Sequence, residues 1–133
     1  MRRVHLTVGV ITLVAFAVTG MIMRTHNPRL RDLGDDIRLM YRSRHIYLLG
    51  SGIANLLLGL YLVPRQAAWR RRLQYAGSVF LLAAPVSLAF AFFTETEHGL
   101  AFSIWRSTLG LFALLGGTIL HFVAAERAPQ NSG

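Results

Sequence analysis

The sequence predicts an all-α polytopic membrane protein, with four transmembrane helices in an up-down bundle and an interfacial amphipathic helix between helices 1 and 2. Three observations predict it. Of the 133 residues, 53 % are apolar and only 15 % are charged, whereas ordinary soluble domains are about a quarter charged. The apolar residues fall into four long runs, with nearly every charge in the connections between them; a soluble bundle would interleave the two at helical period. Tyr41, Tyr47, Tyr61, Trp69, Tyr75 and Trp105 all lie near the ends of those runs, as an aromatic belt at the two interfaces requires.

The first run spans 4–23, behind Arg2 and Arg3. At 1.5 Å rise per residue, about 20 residues reach about 30 Å, one hydrocarbon thickness. Its basic start and the Val18-Thr19-Gly20 stretch are like a signal peptide, but the apolar part exceeds the roughly 7 to 15 residues of a signal core. A retained helix is expected.

Residues 28–42 are expected to form the amphipathic helix. Asn27 suits the N-cap and Pro28 the first helical position. Leu30, Leu33, Ile37, Met40 and Tyr41 recur at helical spacing, with Arg and Asp opposite, the pattern of a helix lying in the interface plane. Gly34 weakens it by about 1 kcal/mol relative to Ala. Asp35 and Asp36 point to different faces, so pairing such as Arg31 with Asp35 is the plain expectation. Arg38, Arg42 and Arg44 are candidate ligands for a lipid headgroup phosphate.

The second span covers 45–63 and is closed by Pro64, before a basic turn with Arg65, Trp69 and Arg70-Arg71-Arg72. The third covers 75–93. Pro85 inside it removes one backbone bond and frees the carbonyl of Leu81, so a kink is expected. A short acidic connection, Thr94 to Gly99, leads to the fourth span at 104–124. Residues 1–125 then make one domain and 126–133 a disordered tail.

Orientation rests on arginine. All 14 basic residues are Arg, and the formal net charge is +8. Four crossings put Arg2, Arg3, Arg65, Arg70, Arg71, Arg72 and Arg127 on one side, against the same number on the other. The positive-inside rule is therefore balanced, and the leading Arg pair and the compact triplet place both termini inside, in the cytoplasm of a bacterial cell with the chain in its inner membrane. Arginine at headgroup depth faces anionic phospholipid. No single face collects the charge as a nucleic-acid footprint would, so no nucleic-acid partner is expected. Zero cysteines exclude disulfides, thiolate metal sites and cysteine nucleophiles.

Small and polar residues form stripes: His5, Gly9, Thr12 and Thr19 or Gly20 on the first span; His45, Gly52, Asn55 and Gly59 on the second; Arg106, Gly110, Ala113, Gly117 and His121 on the fourth. Such stripes are packing seams, and they can also line a ligand site. Asn55, near mid-span, must point inward to keep its amide hydrogen-bonded. It either bonds between helices or grips a ligand. Arg106 is expected to anchor with Trp105 at the interface. Imidazoles on facing helices of a bundle are the arrangement that ligates a b-type haem. His5 with His121 is one candidate haem pair and His45 with His98 a second, set against their role as interfacial belt residues.

No Asp or Glu lies within any expected span, which argues against a proton-coupled exporter. Hydrolase and phosphate-loop signatures are missing. The sequence therefore reads as a non-enzymatic membrane protein, either a self-associating bundle (a homo-oligomer) or an accessory subunit of a membrane complex. Two alternatives are a redox subunit holding haem or quinone, and a binder or modifier of anionic lipid headgroups.

Overall fold

A computed structural model describes residues 1–96 and 104–125. Within them lie four α-helices: α1 (Arg2–Thr25), α2 (Asp35–Tyr61), α3 (Ala68–Glu95) and α4 (Trp105–Ala124), with a 310 turn at Leu30–Asp32. There is no strand among the described residues. Three helices, α1, α3 and α4, are long and apolar enough to cross a membrane. α2 is not one of them. It is 27 residues long, but its first turns are charged and the rest carries His45, Ser51 and Asn55.

The separate amphipathic helix over 28–42 is corrected. Residues 27–29 are non-helical, the 310 turn follows, and from Asp35 the chain is already in α2. Glycine explains the shift. Gly34 disfavours a helix interior but serves as N-cap, and Asp35 and Asp36 then fall in the first turn, where the helix dipole favours negative charge. Arg31 is consequently not one turn before Asp35. It pairs with Asp32 at 3.6 Å, and Asp35 pairs with Arg38. His26 ties this connection down: its Nδ1 donates to the Pro28 carbonyl at 2.7 Å and its Nε2 lies 3.2 Å from the Tyr41 hydroxyl.

α3 extends through Pro85 to Glu95 without interruption. The helix thus extends beyond 75–93 at both ends, and it takes in Glu95, a carboxylate assigned from the sequence to the connection after the third span. His98 and the expected tail at 126–133 lie outside the described residues.

Contacts join α1 to α2, α2 to α3, and α3 to α4. Glycine sets two close approaches of backbone to backbone between α1 and α2. A Cβ on Gly59 would sit 2.6 Å from the Leu6 backbone, and one on Gly9 would sit 2.6 Å from Leu56 N. On the other pair, a Cβ on Gly77 would meet the Gly117 carbonyl at 2.9 Å. Helices close on each other here because no side chain intervenes.

The buried set mixes apolar side chains such as Met40, Leu48, Leu81 and Phe92 with many polar ones: His5, Thr12, Thr19, Arg44, Ser51, Asn55, Ser78, Glu95 and Ser107. Large apolar side chains face out: Ile11 and Val14 on α1, Val79 and Phe90 on α3, Phe112 and Phe122 on α4. A compact apolar cluster of Tyr41, Leu48, Leu88 and Phe92 sits where α2 meets α3.

Candidate functional site

Two buried polar centres lie along the contact between the helices. The first is built on Asn55, which is fully buried. Pro85 has no N–H to offer the carbonyl one turn before it, so the Leu81 oxygen has no helical partner. Asn55 Nδ2 supplies one at 2.7 Å and also donates to the Ser51 carbonyl at 3.0 Å. Its Oδ1 turns to α1, where His5 Nδ1 lies 2.7 Å away. One amide thereby links α1, α2 and α3. His5 is fully buried, and its Nε2 has no partner among the described residues. The His121 ring stands edge-on to it, centroids 6.4 Å apart, and His121 Nε2 lies 3.2 Å from the Ser78 hydroxyl.

The second centre is ionic. Glu95, fully buried, places Oε2 3.2 Å from Arg44 Nη2 and accepts the backbone N–H of Arg106 at 2.8 Å and of Ser107 at 3.3 Å on Oε1. These are donors of the first turn of α4, so the carboxylate caps a neighbouring helix where its dipole is positive. Arg44 Nη2 also donates to Ser107 Oγ at 2.9 Å, and Nη1 to Ser43 Oγ at 2.9 Å. The pair joins α2, α3 and α4. Both carboxylate oxygens are engaged, which suits a fixed structural charge.

This placement divides the candidate headgroup ligands. Arg42 is exposed and Arg38 half-buried against Asp35. Arg44 is buried against Glu95 and does not share their surface. Arg106 lays its guanidinium over the Trp105 ring, 4.8 Å from the centroid, with its carbonyl taking the Ser87 hydroxyl at 2.7 Å. His45 turns to α1: Nδ1 lies 2.9 Å from Thr19 Oγ1 and the ring stacks on Phe16 with centroids 4.0 Å apart. Of the two histidine pairs, then, the structure brings His5 near His121, while His98 lies outside the described residues. His121 Nε2 is directed to Ser78 and not to an atom shared with His5.

Polar side chains also fasten the C-terminal end of α2 and the turn after it. Arg2 donates to the Gly59 carbonyl at 3.4 Å and the Leu60 carbonyl at 2.7 Å, placing a cation at the C-terminal end of α2. Gln74 holds the turn between α2 and α3, donating to the Val63 carbonyl at 2.8 Å and accepting from Arg65 N at 3.2 Å.

Sequence reasoning missed Glu95 and Gln74. For Glu95 the signal was present: Leu81, Ala84, Leu88, Ala91 or Phe92, then Glu95 recur at helical spacing, which carries the core stripe of α3 into the polar run. Gln74 carried no comparable mark.

The chain matches no known protein family, and no curated protein or solved structure is significantly similar to it.

Proposed function

We propose that the chain is a four-span integral membrane protein in an up-down bundle, working through non-covalent contacts within the bilayer as a self-associating bundle or an accessory subunit. The placement of side chains carries this reading: many polar groups are buried between the helices, and many large apolar side chains face outward. Hydrocarbon offers polar groups no partner, so a membrane protein hides them inside.

α2 is the fourth span. The exposed charges of α2, Asp35, Asp36 and Arg42, all lie in its first turns; from Arg44 on, Arg44, Ser51, Gly52, Asn55 and Gly59 are buried. Beyond Arg44 the exposed residues are Ile46, Gly50, Ile53, Leu57, Leu60 and Tyr61, none of them charged. A helix with that outer face is suited to lipid whatever its average composition. With four crossings, the termini and the turn at 62–67 share one side, where Arg2, Arg65 and the arginine triplet meet anionic headgroups.

Each buried ion and amide described above has a structural duty, which favours a scaffold over a catalyst. The glycine seams are used within one chain, at Gly9, Gly59, Gly77 and Gly117. A second copy or a partner subunit therefore meets the outward apolar faces, such as that of Phe112 and Phe122 on α4. Crosslinking and native mass spectrometry in mild detergent test this. Dimers, higher assemblies or a stoichiometric membrane partner are expected, and a strict monomer with no partner contradicts the reading. Lipid retained specifically through the exposed Arg42 and the neighbouring Arg38 would instead favour a headgroup-binding role.

A further inference from the structure

We propose that His5 is the polar end of a binding site for a lipid-soluble molecule that presents a hydroxyl group, a quinol or a long-chain alcohol. The inference rests on the membrane reading above and adds a ligand to it.

The hydrogen-bond network fixes the chemistry. Asn55 Nδ2 faces two carbonyl oxygens, those of Ser51 and Leu81, at 3.0 and 2.7 Å. Carbonyls only accept, so the amide nitrogen must be the atom facing them, and Oδ1 must be the atom facing His5. Oδ1 also only accepts, so His5 Nδ1 carries the proton. In a neutral imidazole the other nitrogen is then a bare acceptor. That atom, Nε2, is buried and has no partner among the described residues. A buried polar atom without a partner is costly, so the site selects a molecule that donates. A hydroxyl donates; a ketone or ether oxygen does not.

The space for such a molecule lies beyond His121. This ring stands edge-on to His5. It also forms one wall of a groove of about 320 Å³, together with Leu57, Leu58, Tyr61, Leu62 and Arg65. That volume falls within the range of small-ligand sites. Leu57 and Tyr61 are exposed at its mouth, so an apolar body can enter from the hydrocarbon. Arg65 lines the same groove, and its Nε is buried with no partner among the described residues, a donor suited to a second oxygen. A quinol carries two oxygens and an alcohol one. His5 does not itself line the groove. His121 lines it and stands beside His5, so the His121 side chain must turn aside for a hydroxyl to reach Nε2, and its polar partner among the described residues is Ser78.

The test reads the nitrogen directly. The full chain, labelled with 15N-histidine, is prepared in a hydroxyl-free phosphocholine detergent, and the His5 resonance among the five histidines is identified by replacing the other four one at a time. Tetramethylbenzoquinol, dodecanol and the dimethyl ether of the quinol are titrated separately. The unprotonated Nε2 resonance is expected to move upfield and saturate with the quinol, to be unmoved by the ether, and to respond to dodecanol only if any hydroxyl suffices. A response to dodecanol alone assigns the site to alcohols. No response to either hydroxyl compound, or an equal response to the ether, overturns the proposal. So does a resonance already at its hydrogen-bonded position and unmoved by any addition, since that means water alone fills the site. None of these results bears on the number of membrane crossings, which is measured separately.

Discussion

Asn55 occupies the place in the hydrogen-bond ladder that Pro85 leaves open. Its Nδ2 lies 2.7 Å from the Leu81 oxygen, the carbonyl one turn before the proline. A side chain on α2 thus completes the backbone of α3, and the same amide reaches His5 on α1 at 2.7 Å. Two features that would each weaken a lone helix in hydrocarbon stabilise each other when the helices meet.

This makes a coupling prediction. Asn55→Ala should destabilise the fold by about 2 kcal/mol, from bonds worth roughly 0.6 to 2 kcal/mol each within a membrane. Pro85→Ala restores an N–H to the Leu81 carbonyl, so Asn55→Ala should cost about 1 kcal/mol less in that background. A double-mutant cycle by unfolding in mixed micelles measures the difference. Strict additivity would show that the two residues act independently.

Glu95 should behave as a fixed charge. Glu95→Gln keeps an acceptor for the amides of Arg106 and Ser107 but leaves Arg44 buried without a counter-charge, and should cost about 3 to 5 kcal/mol. Replacing Arg44 and Glu95 together with Met should recover much of that loss, because no unpaired charge remains. Thermal unfolding in detergent compares the variants. A double variant worse than Glu95→Gln would mean that the pair contributes more than its own desolvation takes away.

The glycines sort into two groups. Gly9→Ala and Gly59→Ala place a methyl 2.6 Å from a facing backbone, and each should destabilise by about 1 to 3 kcal/mol, as overpacking does. Gly50 and Gly116 have nothing among the described residues within 4 Å of an added Cβ, so Ala there should be neutral or stabilise by up to about 1 kcal/mol. Equal effects at all four sites, read by the same unfolding assay, would remove the case for close backbone approach.

Much of this arrangement is legible in the sequence. The burial of His5, Gly9, Thr12 and Thr19 on α1 follows the stripe the sequence displays, since only one face of a helix can meet its neighbour. The orphaned Leu81 carbonyl followed from Pro85 alone. Its partner did not, because helix pairing is a tertiary property and Asn55 had several carbonyls to choose from. The Arg44–Glu95 pair was hidden for a different reason. Each residue stands at the edge of an apolar run, where composition suggests an interface, yet each continues the helical spacing of its own core stripe: Tyr41, Arg44, Leu48, Ser51 and Asn55 on α2, and Leu81 to Glu95 on α3. Counting apolar residues ended those stripes too early; following the period past the last apolar residue would have kept both ions inside. The start of α2 was misplaced because Asn27-Pro28 is a strong helix signal locally, and Gly34 then Asp35-Asp36 proved a stronger one in context.

The central claim is that α2 crosses the membrane although its composition is the least apolar of the four helices. The chain has no cysteine, so single cysteines can be placed at Asn27 and at Gln66, on the connections before and after α2, and tested in sealed, oriented membrane vesicles with a membrane-impermeant maleimide. Reaction of the two from opposite sides is the predicted result, with Gln66 sharing its side with a cysteine at Arg3. Reaction of Asn27 and Gln66 from the same side would leave α2 outside the bilayer and contradict the account.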